Sequence, residues 1–319
     1  DALKATRQFE NTIIVLAGLL IVCLAAPSAM AAEKRKYIKT PSKLTTPDIV
    51  ETSIGKLKFF DGMPSKETTK LIYDNLDRTR AVQVFLNTMQ ITTIEATKTG
   101  YQGAGLDAVN KMGMYKQLMN SRTYLLTGNT DTVYLFGVLD LKKYGHTVFE
   151  VPKGSGPSTL NSHAHTWVTD FGPTGPDQGK GGTYVILSPD YKDGDIPSLK
   201  GKEISTQGAK PGKMEIGGNM KDVFVVKSSS YVNWIVSRGF LKDGKADASV
   251  KMYEDGAKLY SLSDAKNPPK LEIVNLSNKP TNVIFANDYS FYEQLDSAIQ
   301  YEHQDFIPME MRGLISSIG

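Results

Sequence analysis

Residues 123–141 read "TYLLTGNTDTVYLFGVLDL". A Gly-Asn-Thr-Asp cluster at 128–131 separates two short runs rich in β-branched and aromatic residues. Tyr134, Phe136 and Val138 then alternate with Val133, Leu135 and Gly137, the period-2 spacing of a strand. Runs of the same kind recur on both sides of the glycine-rich stretch that follows. They are "HTVFEVP" (146–152), "GTYVILSP" (182–189), "DVFVVKSSSYVNWIV" (222–236) and "TNVIFA" (281–286). Each is bounded by Gly, Pro, Asn or Asp. The chain is therefore expected to be mainly β with helical additions: a jelly-roll-like antiparallel β-sandwich with a helical segment ahead of it.

Working outward, Ser65 stands as an N-cap with Glu67 behind it. Leu71, Ile72, Leu76, Ala81, Val82, Phe85, Leu86, Met89 and Ile94 then recur at helical spacing. This predicts one long helix or two consecutive ones over about 65–97, ended by the glycines at 100–105. A weaker helical pattern covers 106–119, and "FYEQLDSAIQYE" at 291–302 predicts a late helix. The polar, glycine-rich stretch 192–221 reads as a connection. The expected organisation is a signal segment at 1–31, an extended leading segment at 32–62, a helical segment at 63–120 and a β body at 121–319.

The signal segment is expected from three parts: Lys4 and Arg7, an apolar run of 14 residues from Ile13 to Ala26, and the small residues of Ala29-Met30-Ala31. The run is short for a membrane span, so cleavage is expected between Ala31 and Ala32, with a periplasmic or secreted product. The one cysteine, Cys23, lies inside that run. The residues after Ala31 therefore hold no disulfide and no thiolate nucleophile. A net charge of +3 on 319 residues is close to balance and argues against nucleic acid as the partner.

"DFGPTGPDQGKGGTYVILSPDY" (170–191) invites a phosphate-loop reading, but Gly181 stands where a hydroxyl residue would reach magnesium, and the glycines precede a strand. The preferred reading is a strand-to-strand connection whose glycines take positive φ, with Asp170, Asp177 and Lys180 fixing it through internal hydrogen bonds.

Two polar constellations remain. "NSHAHTWVTD" (161–170) places His163 and His165 two apart, on one face if the segment is a strand, with Asp170 following. Two histidines and a carboxylate suit a divalent metal, which would be the cofactor of a metal-dependent enzyme. The spacing from Gly156 through His163, His165 and Asp170 to Gly175 is similar to the first cupin motif, although aspartate stands where cupins use glutamate and the second motif is absent. The alternative is two exposed histidines on an ordinary strand. The other constellation is Asn129, Asp131 and Tyr134 at the start of a strand, joined by Arg238 in "NWIVSRGFLKDG" (233–244). An arginine within an apolar strand needs a partner, so these four residues are candidates to bind a small polar or anionic ligand. A third function class is a surface or assembly module built on the β body.

"NTDTVYLFGVLDL", "TVFEVP", "WVTDFGPTGPDQGKGGTYVILSPDY" and "VNWIVSRGFLKDG", with the helical "GMPSKETTKLIYDNLDRTRAVQVFLNTMQ", resemble the domain-of-unknown-function family numbered 1254. The resemblance implies an exported bacterial protein on a jelly-roll-like sandwich. It carries no catalytic roles. It also implies a companion β domain, of the family numbered 1214, so that the chain is expected to self-associate or to need a second polypeptide.

Overall fold

The helical spacing that begins at Ser65 is realised as one continuous helix. In the computed structural model, which describes residues 38–125 and 127–319, α1 runs Lys66–Gly103. The Ser65 hydroxyl accepts from the Thr68 amide at 3.2 Å, so it caps the first turn. The helix ends six residues beyond the expected 97, at the glycines, where Gly105 takes φ +101°. The expected signal segment, with Cys23 and its cleavage point, lies outside the described residues.

The chain divides into two compact units, Asp1–Tyr73 and Asp74–Gly319, with the boundary inside α1. The described part of the first unit holds a three-stranded antiparallel sheet, β1 (Ile49–Thr52), β2 (Gly55–Phe60) and β3 (Met63–Pro64). Asp61 (φ 47°) and Gly62 (φ 80°) form the two-residue turn between β2 and β3. The Lys58 amide donates to the Thr68 hydroxyl at 2.8 Å, tying β2 to the first turn of α1.

Two sheets build the second unit. The five-stranded one runs β11 (Lys210–Ile216), β12 (Asn219–Lys227), β10 (Gly182–Leu187), β7 (Thr147–Val151), β14 (Lys258–Ser261). The six-stranded one runs β15 (Glu272–Asn275), β4 (Lys111–Met114), β6 (Val133–Asp140), β13 (Val232–Gly239), β8 (Ser158–Ser162), β9 (Trp167–Phe171). A short parallel pair, β5 (Thr123–Tyr124) and β16 (Thr281–Asn282), stands apart. Within the two larger sheets, pairing is antiparallel except between β10 and β12 and between β4 and β15.

Strand alternation sorts the side chains into layers. Val133, Leu135 and Leu139 of β6 and Ile235 of β13 meet Phe149, Tyr184, Ile186, Val226 and Leu259 of the other sheet in one buried core. This is the expected sandwich. Each such apolar side chain contributes about 1.5–3 kcal/mol by leaving water. Tyr134, Phe136 and Val138 point the other way, where Tyr101 of α1 packs on them.

Three local readings change. The 106–119 segment contains β4, not a helix: Met112 and Met114 alternate into the inter-sheet core once β6 and β15 pair beside them. Residues 210–216 of the expected connection form β11, which turns through the left-handed Gly217 and Gly218 into β12. The 222–236 run is two strands, β12 and β13, in different sheets. The remaining helices are α2 (Leu141–Tyr144), α3 (Asp247–Gly256), α4 (Ser290–Tyr301) and α5 (Met309–Ser316).

The glycine-rich stretch does join two strands, β9 and β10. Its centre is the buried Asp177. One carboxylate oxygen accepts from the Gly172 amide at 2.8 Å and the Tyr184 hydroxyl at 2.5 Å, the other from the Gly181 amide at 3.2 Å. Burial and the bond to Asp177 push the Tyr184 phenol far above its ordinary value. Gly172 and Gly181 take φ +73° and +77°. Lys180 contributes its amide, which donates to the Asp177 carbonyl at 2.9 Å.

Candidate functional site

His163 and His165 do not share a strand face. β8 ends at Ser162, residues 163–166 form a turn, and His165 is left-handed at φ 57°. A register shift at Leu160/Asn161 accompanies the turn. His163 is fully buried. Its Nδ1 lies 2.9 Å from Glu302 Oε1, and its Nε2 faces Glu95 Oε2 at 3.2 Å. The second contact is within ion-pair range but off the hydrogen-bond direction, so neither atom counts as hydrogen-bonded there. Lys98 Nζ stands 2.7 Å from the same Glu95 oxygen.

Glu302 also accepts the amides of Val232 at 2.8 Å and Tyr231 at 2.7 Å, and so closes the start of β13. Burial alone would push the His163 pKa down. The bond to Glu302 and the nearby Glu95 carboxylate outweigh it and hold the imidazole above its ordinary value. Burial likewise opposes the Glu95 charge, yet His163 and Lys98 keep that carboxyl below its ordinary value. The arrangement is a buried ionic staple joining α1, the β8–β9 turn, the start of β13 and the end of α4.

His165 is exposed, its ring centroid 5.8 Å from that of Trp234. Asp170 Oδ1 accepts from the Trp167 indole at 2.9 Å. The three expected metal ligands are thus engaged with three different groups. Among the described residues, no group of three or more His, Cys, Asp or Glu side chains is arranged to hold a metal ion.

The second constellation is brought together. Arg238 and Tyr134 are direct partners across β13 and β6, and the guanidinium carbon lies 5.6 Å from the phenol ring centroid. The Asn129 amide donates to the Tyr134 hydroxyl at 3.4 Å, and the Asn129 side-chain oxygen accepts from the Asp131 amide at 3.3 Å. Asp131 itself is exposed and accepts from the Thr132 hydroxyl. The expected partner of Arg238 is therefore an aromatic face, not a carboxylate. Its guanidinium is exposed and has no ion pair among the described residues. Behind Tyr134 the rings continue as a stack: Phe136 at 5.3 Å and 7°, then Trp234 at 5.8 Å and 13°. Tyr101 lies over Phe136 at 5.6 Å.

The sequence reading missed Glu95 and Glu302, whose patterns look like ordinary helix surface. It also missed Trp234, whose place beside Arg238 follows from the alternation of β13.

The model of a family described as a protein of unknown function (DUF1254) matches residues 109–261. Over those 153 of its 319 residues the chain is similar to that family. The matched DUF1254 segment contains Asn129, Asp131, Tyr134, His163, His165, Asp170 and Arg238, while Glu95 and Glu302 lie outside it. A search of the curated proteins found no match. Among solved structures, the VPA0106 protein from Vibrio parahaemolyticus is similar at a TM-score of 0.46 and 17% identity, over 76% of this chain and 52% of that one. The chain thus spans about half the length of that protein.

Proposed function

We propose that this chain is an exported binding protein whose six-stranded sheet captures a small anionic ligand at Arg238. The observation that carries the reading is an exposed guanidinium, fixed over Tyr134 and without an ion pair among the described residues. A guanidinium engaged by a ring and by no carboxylate keeps its N–H groups available for two parallel bonds to a ligand carboxylate. Asn129, whose backbone N–H donates to the Tyr134 hydroxyl, brings its side-chain amide to the same end of the sheet. Export is supported by the three-part pattern of residues 1–31.

The chain has two tryptophans, and both lie in the same sheet as Arg238: Trp234 on β13 itself and Trp167 on β9, two strands away. Intrinsic fluorescence therefore reads this face without background. Titration with malate or citrate should give a saturable change, and Arg238→Gln should remove it. A change that survives in the Arg238→Gln protein, or none in either protein, rejects the reading.

A further inference from the structure

The register across β6, β13, β8 and β9 sets three rows of residues side by side. Arg238 pairs with Tyr134; Val236 lies between Phe136 and Thr159, with Asp170 next; Trp234 lies between Val138 and Asn161, with Trp167 next. On β13, Trp234 and Arg238 share a face and stand ~13 Å apart, four residues at 3.3 Å each. Tyr134 and Phe136 on that face are buried, whereas Thr159, Asn161, Asp170 and Trp234 are half-buried and Arg238 is exposed.

Trp167 is 44% exposed yet held from two sides. Its indole N–H donates to Asp170 at 2.9 Å, and its ring lies against Gly208, where a side chain would collide with it. The Asn161 side-chain amide has no hydrogen-bond partner among the described residues, and neither does the buried Trp234 indole nitrogen.

We propose that this open half of the sheet binds an acidic oligosaccharide. Arg238 takes a uronate carboxylate, the indoles of Trp167 and Trp234 meet the flat C–H faces of sugar rings, and Asn161 takes ring hydroxyls. The proposal rests on the anion-binding reading and names its ligand class. Charge complementarity selects the acidic kind: among the described residues Arg238 has no ion pair, and the Asp170 carboxylate is already engaged by an indole N–H. The ~13 Å along β13 between Arg238 and Trp234 suits a chain of sugars better than one ring. Rings held in place before binding lower the entropy cost of capture.

Calorimetric titration of the full chain with trigalacturonate, galacturonate, cellotriose and citrate tests this. Trigalacturonate should bind about tenfold more tightly than galacturonate, and cellotriose should show no binding. Trp167→Ala should remove most of the trimer's advantage over galacturonate, while Trp167→Phe keeps most of it. Cellotriose binding as well as trigalacturonate overturns the acidic assignment. Citrate matching the trimer, with Trp167→Ala without effect, overturns the saccharide assignment and leaves the anion reading standing. No binding of any carboxylate overturns both.

Discussion

A histidine between two carboxylates in a protein interior stays charged only while both neighbours do, and this ties stability to pH at His163. Its pKa is raised on folding, so its contribution is fully present below the ordinary value of 6.5 and fades as pH rises through the raised one. Glu95 is lowered, so its contribution is present above 4.5 and fades as pH falls through the lowered value. The staple contributes most between these limits. His163→Ala takes the shared partner from the buried Glu95 and Glu302 carboxylates, leaving them Lys98 and the β13 amides, and should cost about 1–3 kcal/mol in urea unfolding near pH 5.5. The difference from wild type should shrink at about pH 9. A pH-independent difference would mean that His163 is a neutral packing residue. None of this was legible in the sequence: Glu302 stands 139 residues from His163, and no local pattern links them.

The elements themselves were more legible, for reasons that differ from one to the next. β6 declared itself because alternation is a local signal and both faces of the strand are committed. β4 did not, because a Lys-Met-Gly-Met run becomes a strand only when β15, some 160 positions later, pairs with it. The Arg238–Tyr134 pair was found because each lies in a run whose strand character is plain; the metal set failed because a two-residue spacing is also compatible with a turn. The β9–β10 connection was read correctly as a strand-to-strand link fixed by Asp177, whereas the Asp170 carboxylate goes to the Trp167 indole and Lys180 takes part through its backbone amide; the Asp177 hub makes the link testable. Asp177→Ala leaves the buried Gly172 amide, the half-buried Gly181 amide and the Tyr184 hydroxyl without their acceptor and should cost about 2 kcal/mol. Gly181→Ala places a Cβ within 2.7 Å of the Lys153 nitrogen and the Val151 oxygen, at φ +77°. The backbone conformation alone should cost roughly 1–3 kcal/mol. Thermal unfolding of both variants checks this; wild-type stability in either would mean that the loop is not held as described.

At the scale of the whole molecule, stability and recognition are assigned to different residues. The inter-sheet core and the Glu95–His163–Glu302 staple hold the second unit together, whereas Arg238 stands exposed over a ring with no ion pair among the described residues. Arg238→Gln should therefore lower stability by no more than about 0.5–1 kcal/mol, the contribution of an exposed cation–π contact. Its loss of ligand binding is then not a loss of fold, and circular dichroism melts of the two proteins should nearly coincide. The most direct measurement is a proton–nitrogen NMR spectrum of the arginine Nε–H groups, with the Arg238 signal assigned by its absence in Arg238→Gln. On titration with malate, the Arg238 signal should shift and saturate while the other arginine signals stay in place. An unmoved Arg238 signal, or equal shifts across all the arginines, would contradict the claim that this guanidinium is a built anion site.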